Sequence, residues 1–401
     1  MWEQIRSNRI RSFVLIAGMG ILLLVLGYVI GLYFFGNSIA GLVIAAVIWF
    51  FMYLLAYFQG ESILLGVSGA KKIARDDHPR LYNIVEEMKI ASGLEKMPDI
   101  YIVDDPAPNA FATGRSPDRA SVAVTSGLLQ RLNRDELEGV IGHEISHIKN
   151  RDVLLMSVAG IILGTIVILA WYATRALFFT GMTGGNRRSS RSSGGGGQVI
   201  ILAVGIVLMI LAPIAAQLLY FAISRKREYL ADASSALYTR YPEGLASALE
   251  KISSSTDQLK AANQATAPMY TVNPFREKGR AASDLTSTHP PISQRIKILR
   301  AMAGASPADY EAAYEKVKGG NRVVPASALA GAGVVAIRSA SAETKPEPDD
   351  INRARETSDV LWRMGNYRTV DCECGARIRV PPSISEPAIR CPRCGRILRL
   401  E

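Results

Sequence analysis

From Ser12 to Gly60 the chain carries no charged residue, an unbroken apolar run of 49 positions. A stretch of this length is twice what one bilayer crossing needs, and it excludes a wholly water-soluble fold. It divides at Gly36-Asn37-Ser38, which predicts two spans, Phe13–Phe35 and Ile39–Phe58, joined as a tight hairpin. Arg6, Arg9 and Arg11 precede the first span, so the positive-inside tendency puts the N-terminus and the returning chain in the cytoplasm. The first span is too long for a cleaved signal peptide and a second follows at once. Two further uncharged stretches, Val153–Thr174 and Val199–Ile223, are long enough to cross, the latter carrying Pro213 and Gln217. Between them lies a Gly/Ser/Arg-rich loop, Gly181 to Gln198, whose Arg187, Arg188 and Arg191 run against the positive-inside tendency on the outer side.

Between these segments composition becomes ordinary. His78–Ser92 predicts a helix with Leu81, Ile84, Val85 and Met88 on one face, and Asp99–Val103 and Ala120–Thr125 read as strands with Asn109–Gly114 as an extended or edge segment between them. Asn321–Asp350, rich in Ala, Ser, Gly and Pro, reads as a linker. The expected organisation is a transmembrane hairpin (1–60), a first catalytic segment (61–152), a second hairpin (153–223), a second catalytic segment (224–320), a linker (321–369) and a small C-terminal domain (370–401). The fold class is mainly α with a small β-sheet.

The most specific motif is His143-Glu144-Ile145-Ser146-His147. Asn133 and Glu136 form a capping-box start, and Leu137, Val140, Ile141 and Ile145 continue at helical spacing, so the two histidines sit one turn apart on one helix face. That spacing lets both imidazoles grip one Zn²⁺ while Glu144 leans toward the attacking water as general base. A catalytic zinc needs a third protein ligand and an open position. His78 lies far off and precedes a proline, whereas Ser224–Ala236 offers Glu228, the better candidate, and Asp232, four residues apart on another helix.

HEISHIKNRD (His143–Asp152), REYLAD (Arg227–Asp232), NAFATG (Asn109–Gly114) and THPP (Thr288–Pro291) together resemble the HtpX-type membrane zinc endopeptidases, a Glu-zincin family that includes the CAAX prenyl proteases. The resemblance spans about Met1 to Arg300 and implies a polytopic, membrane-anchored zincin-like metallopeptidase domain. By it Glu228 is the third ligand, Asp232 orients a zinc-bound histidine, Asn109, Ala110, Phe111 and Ala112 bind substrate in extended form, and His289 stabilises the oxyanion. Topology agrees: His147 and Glu228 flank the second hairpin, and two crossings or none return both to one side, which places the active site on the cytosolic face of the cell membrane.

All four cysteines lie in the tail, as Cys372-Glu373-Cys374-Gly375 and Cys391-Pro392-Arg393-Cys394-Gly395. Two glycine-ended knuckles predict a Cys₄ zinc ribbon whose closed coordination makes that ion structural, a second zinc beside the catalytic one. From Leu361 onward the tail holds eight arginines against four acids but no interleaved aromatic platform, so no nucleic acid is expected as a partner. The expected partners are polypeptide substrates, membrane proteins among them, and the lipid bilayer. The resemblance implies a quality-control role. The alternative is a membrane-anchored adaptor with structural zinc sites acting through its ribbon; Glu144 argues against it, since a structural site has no use for a water-activating carboxylate.

Overall fold

The computed structural model describes residues 2–183, 210, 214, 225–260, 270–272, 290–319, 322–330, 333–341, 348–384 and 386–400, with the backbone alone for parts of the first and sixth helices. The described chain is mostly helical, with small sheets. Helix α1 (Trp2–Phe35) and helix α2 (Ser38–Val67) form the expected hairpin. Asn37 caps α2, its Oδ1 accepting from the N–H groups of Ile39 and Ala40 at 3.0 and 3.1 Å, which ends one helix and starts the next within two residues. Among the described residues α2 is the one helix long and apolar enough to cross a membrane; Ile16–Leu32 and Ile161–Tyr172 are shorter apolar helical segments. The expected fourth span and most of the Gly/Ser/Arg loop lie outside the described residues.

The α1–α2 contact is made by small residues. A Cβ placed on Gly31 would lie 2.5 Å from Gly41 Cα, and one on Gly27 would collide with the Ala45 methyl. Gly27 and Gly31 on one helix therefore face Gly41 and Ala45 on the other, each pair four apart, so the backbones approach without intervening side chains. Helix α6 (Asp152–Thr183) packs into the same bundle through Val158, Ile162 and Ile166 against Met19, Leu23 and Ala56.

Beyond the bundle stands a four-stranded sheet of order β1-β2-β4-β3, made of β1 (Ala70–Lys72), β2 (Asp99–Val103), β3 (Ala110–Ser116) and β4 (Arg119–Thr125). β2 and β4 run parallel, and β3 and β4 form an antiparallel hairpin with an irregularity between Gly114 and Ser116. Side chains alternate by strand period: Ile100, Ile102, Ala110, Ala112, Val122 and Val124 enter the main core, while Val103, Phe111 and Ala123 meet Leu64 and Leu65 at the end of α2. The sheet is thereby clamped between the core helices and the C-terminal end of α2. A bond from Ser121 Oγ to Glu61 adds a polar tie at that junction.

Helix α3 (Pro79–Ser92) is capped by His78, whose Nδ1 accepts from Leu81 N–H at 3.2 Å. This histidine is structural, and burial with Arg80 nearby pushes its pKa down to about 4. Short α4 (Ser126–Arg131) leads to α5 (Arg134–Lys149), where the capping box forms as the sequence predicts: Asn133 Oδ1 accepts from Glu136 N–H at 2.9 Å, and Asn133 N–H donates to Glu136 Oε2 at 2.8 Å. Helical residues 225–239 (α7), α8 (Pro242–Ser254), α9 (Ile292–Arg300) and α10 (Pro307–Lys318) complete the core.

The stretch read as a linker packs more closely than its composition suggests. After the short α11 (Ala326–Ala330), residues 333–341 lie along the domain, with Ala305 N–H donating to Val335 O at 2.8 Å and Arg338 N–H to Arg240 O at 2.9 Å. The Arg338 guanidinium bonds Asp135 at 2.7 Å and Glu138 at 2.8 Å, holding the tail to the first turn of α5. α12 (Asp350–Met364) then seats Arg353, Thr357 and Val360 against the domain, Arg353 donating to Gln130 O. Two hairpins follow, β5 (Arg368–Asp371) with β6 (Arg377–Val380) and β7 (Ala388–Arg390) with β8 (Ile397–Arg399).

Because the α1–α2 seam leaves no room for a side chain, Gly41→Leu should force the helices apart. Overpacking of this kind costs about 1–3 kcal/mol. Thermal unfolding of the detergent-solubilised protein should show a Tm lower by several degrees, while Gly66→Ala, at a position open to space, should leave it unchanged.

Candidate metal centre

Two helices bring the three predicted ligands together. α5 presents His143 and His147 with ring centroids 4.9 Å apart and planes at 88°. α7 presents Glu228 across from them. The two Nε2 atoms are 3.3 Å apart, and Glu228 places Oε2 at 3.5 Å from His143 Nε2 and Oε1 at 3.5 Å from His147 Nε2. Ligands at 2.0–2.1 Å from a tetrahedral ion sit on edges of about 3.3–3.4 Å, so the two imidazole nitrogens stand at the spacing zinc requires and Glu228 turns one oxygen toward each of them.

The electrostatics also call for a cation. His143, Glu144, His147 and Glu228 are 0%, 1%, 3% and 2% exposed. Asp152 and Asp232 are buried beside them, and the buried guanidiniums here are Arg227 and Arg295. Among the described residues, and with neutral histidines, four carboxylates face two guanidiniums, a formal charge of −2 that a divalent ion cancels. Burial would push the His143 imidazole down, but the carboxylates of Asp232 and Glu228 raise its pKa to about 9, which expresses the same demand for positive charge.

Both histidines are held from behind. His143 Nδ1 lies 3.0 Å from Asp232 Oδ1, and His147 Nδ1 lies 3.3 Å from Asp152 Oδ2. Protons on the Nδ1 atoms donated to these carboxylates leave each Nε2 lone pair facing the centre. Asp232 is fixed in turn by Arg295, whose Nε and Nη2 donate to its two oxygens at 2.9 and 2.6 Å. Burial would raise the Asp232 pKa, yet Arg295 and His143 hold it below the ordinary carboxylate value.

Glu144 Oε1 accepts from Thr271 Oγ1 at 2.7 Å, and its buried Oε2 makes no hydrogen bond to a described residue. That carboxylate is thus placed between the metal ligands and the segment 270–272. Asn109–Ala112 opens β3, the outer strand of the sheet, and Asn109 and Ala110 bond the same segment. His289 lies outside the described residues, just before Pro291 caps α9.

Asp152, Thr271 and Arg295 take positions that the sequence reading did not assign. Arg295 had a signal: it falls on the stripe Ile292, Ile296 and Leu299 of α9, and an arginine on a buried face requires a buried acid. Asp152 closes the motif HEISHIKNRD but stands at the start of a new helix, so helical spacing could not align it with His147.

A second cluster lies in the tail. Cys372 and Cys394 sulfurs are 3.6 Å apart, those of Cys374 and Cys391 are 3.7 Å apart, and all four thiols are free. Four thiolates at 2.3 Å from a tetrahedral ion lie about 3.8 Å from one another, whereas a disulfide would bring the sulfurs to about 2 Å. Gly375 and Gly395 take φ of +79° and +75°, the left-handed turn that each knuckle needs. The Cys394 N–H pulls the Cys391 thiol down to about 6 while the neighbouring thiols push Cys372 up to about 12, so the four sulfurs share protons as one group.

The sequence pattern of peptidase family M48 matches residues 75–303. A protein named "Protease HtpX homolog" from Dictyoglomus turgidum (strain DSM 6724 / Z-1310) is 46% identical over 301 residues, covering 75% of this chain and 94% of its own length. A protein of the same name from Listeria monocytogenes serovar 1/2a (strain ATCC BAA-679 / EGD-e) is 44% identical over 305 residues, covering 75% of this chain and 100% of its own. Among solved structures, the crystal structure of S. mikatae Ste24p aligns with a TM-score of 0.38 and 19% identity over 75% of this chain and 67% of that one. The match across residues 75–303, which contains both histidines, Glu144 and Glu228, together with relatives of this identity, establishes that the chain belongs to peptidase family M48, among the HtpX-type metalloproteases.

Proposed function

We propose that this metalloprotease is a membrane-integrated zinc endopeptidase working at the His143–His147–Glu228 centre on the cytosolic face, with membrane proteins in a quality-control setting as its substrates. The observation that carries the site assignment is the matching of donor spacings to a tetrahedral ion, 3.3 and 3.5 Å, beside a carboxylate with one oxygen unengaged by described residues. Bound zinc would supply a lowered water pKa and polarise the scissile carbonyl. Glu144 takes the proton of the attacking water and passes it to the departing amine. Asp232 and Asp152 hold the two imidazoles in the tautomer that ligates, and Arg295 keeps Asp232 ionised. The substrate backbone adds to β3 at Asn109–Ala112, and His289 is the expected partner of the oxyanion.

Membrane integration is supported by α2 and by its exposed large side chains, Phe51 at 64% among them. A polytopic arrangement, with α1, α6 and the stretch 199–223 crossing as well, is supported by the uncharged stretches of the sequence, and two crossings between His147 and Glu228 are compatible with their meeting at one site. The tail is assigned a structural Cys₄ zinc, giving two ions per chain. The domain divisions at 60, 152, 223, 320 and 369 are retained in this reading, with 321–369 acting as a packed strap more than a free tether. The adaptor alternative is disfavoured by membership in a peptidase family.

Glu144→Gln keeps the shape of the side chain without its basicity. Zinc content should stay unchanged while cleavage of unfolded casein falls by about 10²–10⁴-fold. His143→Ala, His147→Ala and Glu228→Ala should each lose both, and Asp232→Asn should weaken affinity or activity by about 10–100-fold. Wild-type turnover in Glu144→Gln would remove that residue from the mechanism. Metal analysis of Cys391→Ser should find one zinc fewer than in the parent protein, with peptidase activity kept at the His–Glu centre; two ions in both proteins would overturn the Cys₄ assignment. In intact cells a membrane-impermeant maleimide should label Ser190→Cys and spare Lys149→Cys, and labelling of Lys149→Cys from outside would refute the cytosolic placement.

A further inference from the structure

The outer edge of β3 is already taken. Tyr270 bridges Phe111 in antiparallel register, and Thr271 N–H donates to Ala110 O at 2.9 Å. Asn109 grips the next residue with both ends of its amide: Nδ2 donates to Val272 O at 2.8 Å, and Oδ1 accepts from Val272 N–H at 3.3 Å. Arg295 Nη1 donates to Thr271 O at 3.3 Å. The Thr271 hydroxyl lies 3.0 Å from Ala110 O and 2.7 Å from Glu144 Oε1. Tyr270, Thr271 and Val272 are all buried, with the Tyr270 ring edge-on to Phe111 at 5.2 Å.

We propose that residues 270–272 are a built-in pseudosubstrate, holding the peptide cleft closed until they are displaced. The inference rests on the reading of Asn109–Ala112 as the peptide-binding edge. An extended peptide adding to this edge needs the Ala110 carbonyl that Thr271 N–H now uses and the Asn109 side-chain amide that now grips Val272, so the two cannot bind together. The Thr271 hydroxyl also engages the base itself, donating to Glu144 Oε1 while Oε2 stays unengaged by described residues. An element that merely supported the sheet would have no need to contact the catalytic carboxylate. Being tethered, the segment competes at a high effective concentration, and a peptide's apparent affinity is reduced by the fraction of molecules in which the edge is free.

The bridge itself offers a lock. Phe111 and Tyr270 form a non-hydrogen-bonded antiparallel pair, the register in which opposed Cα atoms lie about 4.5 Å apart and a disulfide can close. The zinc-loaded full chain carrying Phe111→Cys, Tyr270→Cys and Glu144→Gln should bind fluorescein-labelled unfolded casein about tenfold more weakly when oxidised than when reduced. Thr271→Val, which removes both hydroxyl bonds and keeps the β-branched shape, should bind the same probe several-fold more tightly than its parent in that Glu144→Gln background. With Glu144 restored, Thr271→Val should also raise kcat/KM on casein, whereas a purely structural threonine would lower it or leave it unchanged. Equal binding by the oxidised and reduced forms, or no tighter binding by Thr271→Val, would overturn the proposal. Redox-dependent binding without any cleavage in the Glu144 background would leave the pseudosubstrate standing and sink the peptidase reading of the site.

Discussion

Two imidazole nitrogens 3.3 Å apart in the interior of a protein impose conditions on everything around them. Each ring must keep its lone pair inward, which requires an acceptor behind each Nδ1, and Asp232 and Asp152 provide those acceptors. Two more buried carboxylates then require cations, and Arg295 meets Asp232 with two parallel bonds. The chain of requirements fixes which helices must converge: α5 for the histidines, α7 for Glu228 and Asp232, α9 for Arg295, and the start of α6 for Asp152. That last assignment couples the site to the helical bundle, because the residue orienting His147 is also the first residue of α6. The turn between them is sharp, with Asn150 as the C-cap of α5 and Arg151 at φ +60°. A carboxylate in the first turn also suits the positive end of the α6 dipole, so one aspartate serves the helix and the ligand alike.

The parts legible in the sequence are those whose signal is local. The helix carrying the histidines is announced by a capping box four residues wide, the strands by alternation over five to seven residues, and the α1–α2 turn by one Gly-Asn-Ser break. Apart from Asp152, hidden by the turn between α5 and α6, what was not legible depends on partners far away in the chain. Thr271 meets Glu144 across 127 positions, and Arg295 meets Asp232 across 63. The stretch after Asn321 shows why composition misleads: its small residues carry no periodicity, yet Arg338 is held by Asp135 and Glu138, about 200 positions earlier. One arginine with two acidic partners orders a segment that its neighbours alone would leave loose.

The hairpin inverts the usual logic of burial. Glycines and alanine, Gly27, Gly31, Gly41 and Ala45, fill the helix contact, while Phe50, Phe51 and Phe58 stand exposed on α2. In water this arrangement would place the largest apolar groups where burial gains nothing and the smallest where it gains most. In hydrocarbon the preference disappears, and close backbone approach becomes the better source of attraction. The same helix continues past its apolar portion, with Leu64 and Leu65 packed against Val103 and Phe111. Movement of α2 in the membrane plane would therefore be felt at the strand that bears Asn109 and Ala110.

A hydrolytic site whose ligands and base are 0–3% exposed is in tension with its own chemistry. Exclusion of water strengthens the Asp–His and Arg–Asp pairs, since charges in a low-dielectric interior interact more strongly than in solvent. Hydrolysis nevertheless needs a water and a peptide to enter. Opening the whole core would dismantle the ligand set, because α5 and α7 supply both its metal donors and much of its packing. The short segment at β3 is the economical alternative: it touches the ligand shell through one hydroxyl and one carbonyl, and its withdrawal leaves the Asp152–His147 and Asp232–His143 pairs intact. Metal geometry and substrate access are thereby assigned to different parts of the chain. The first can stay rigid while the second changes state.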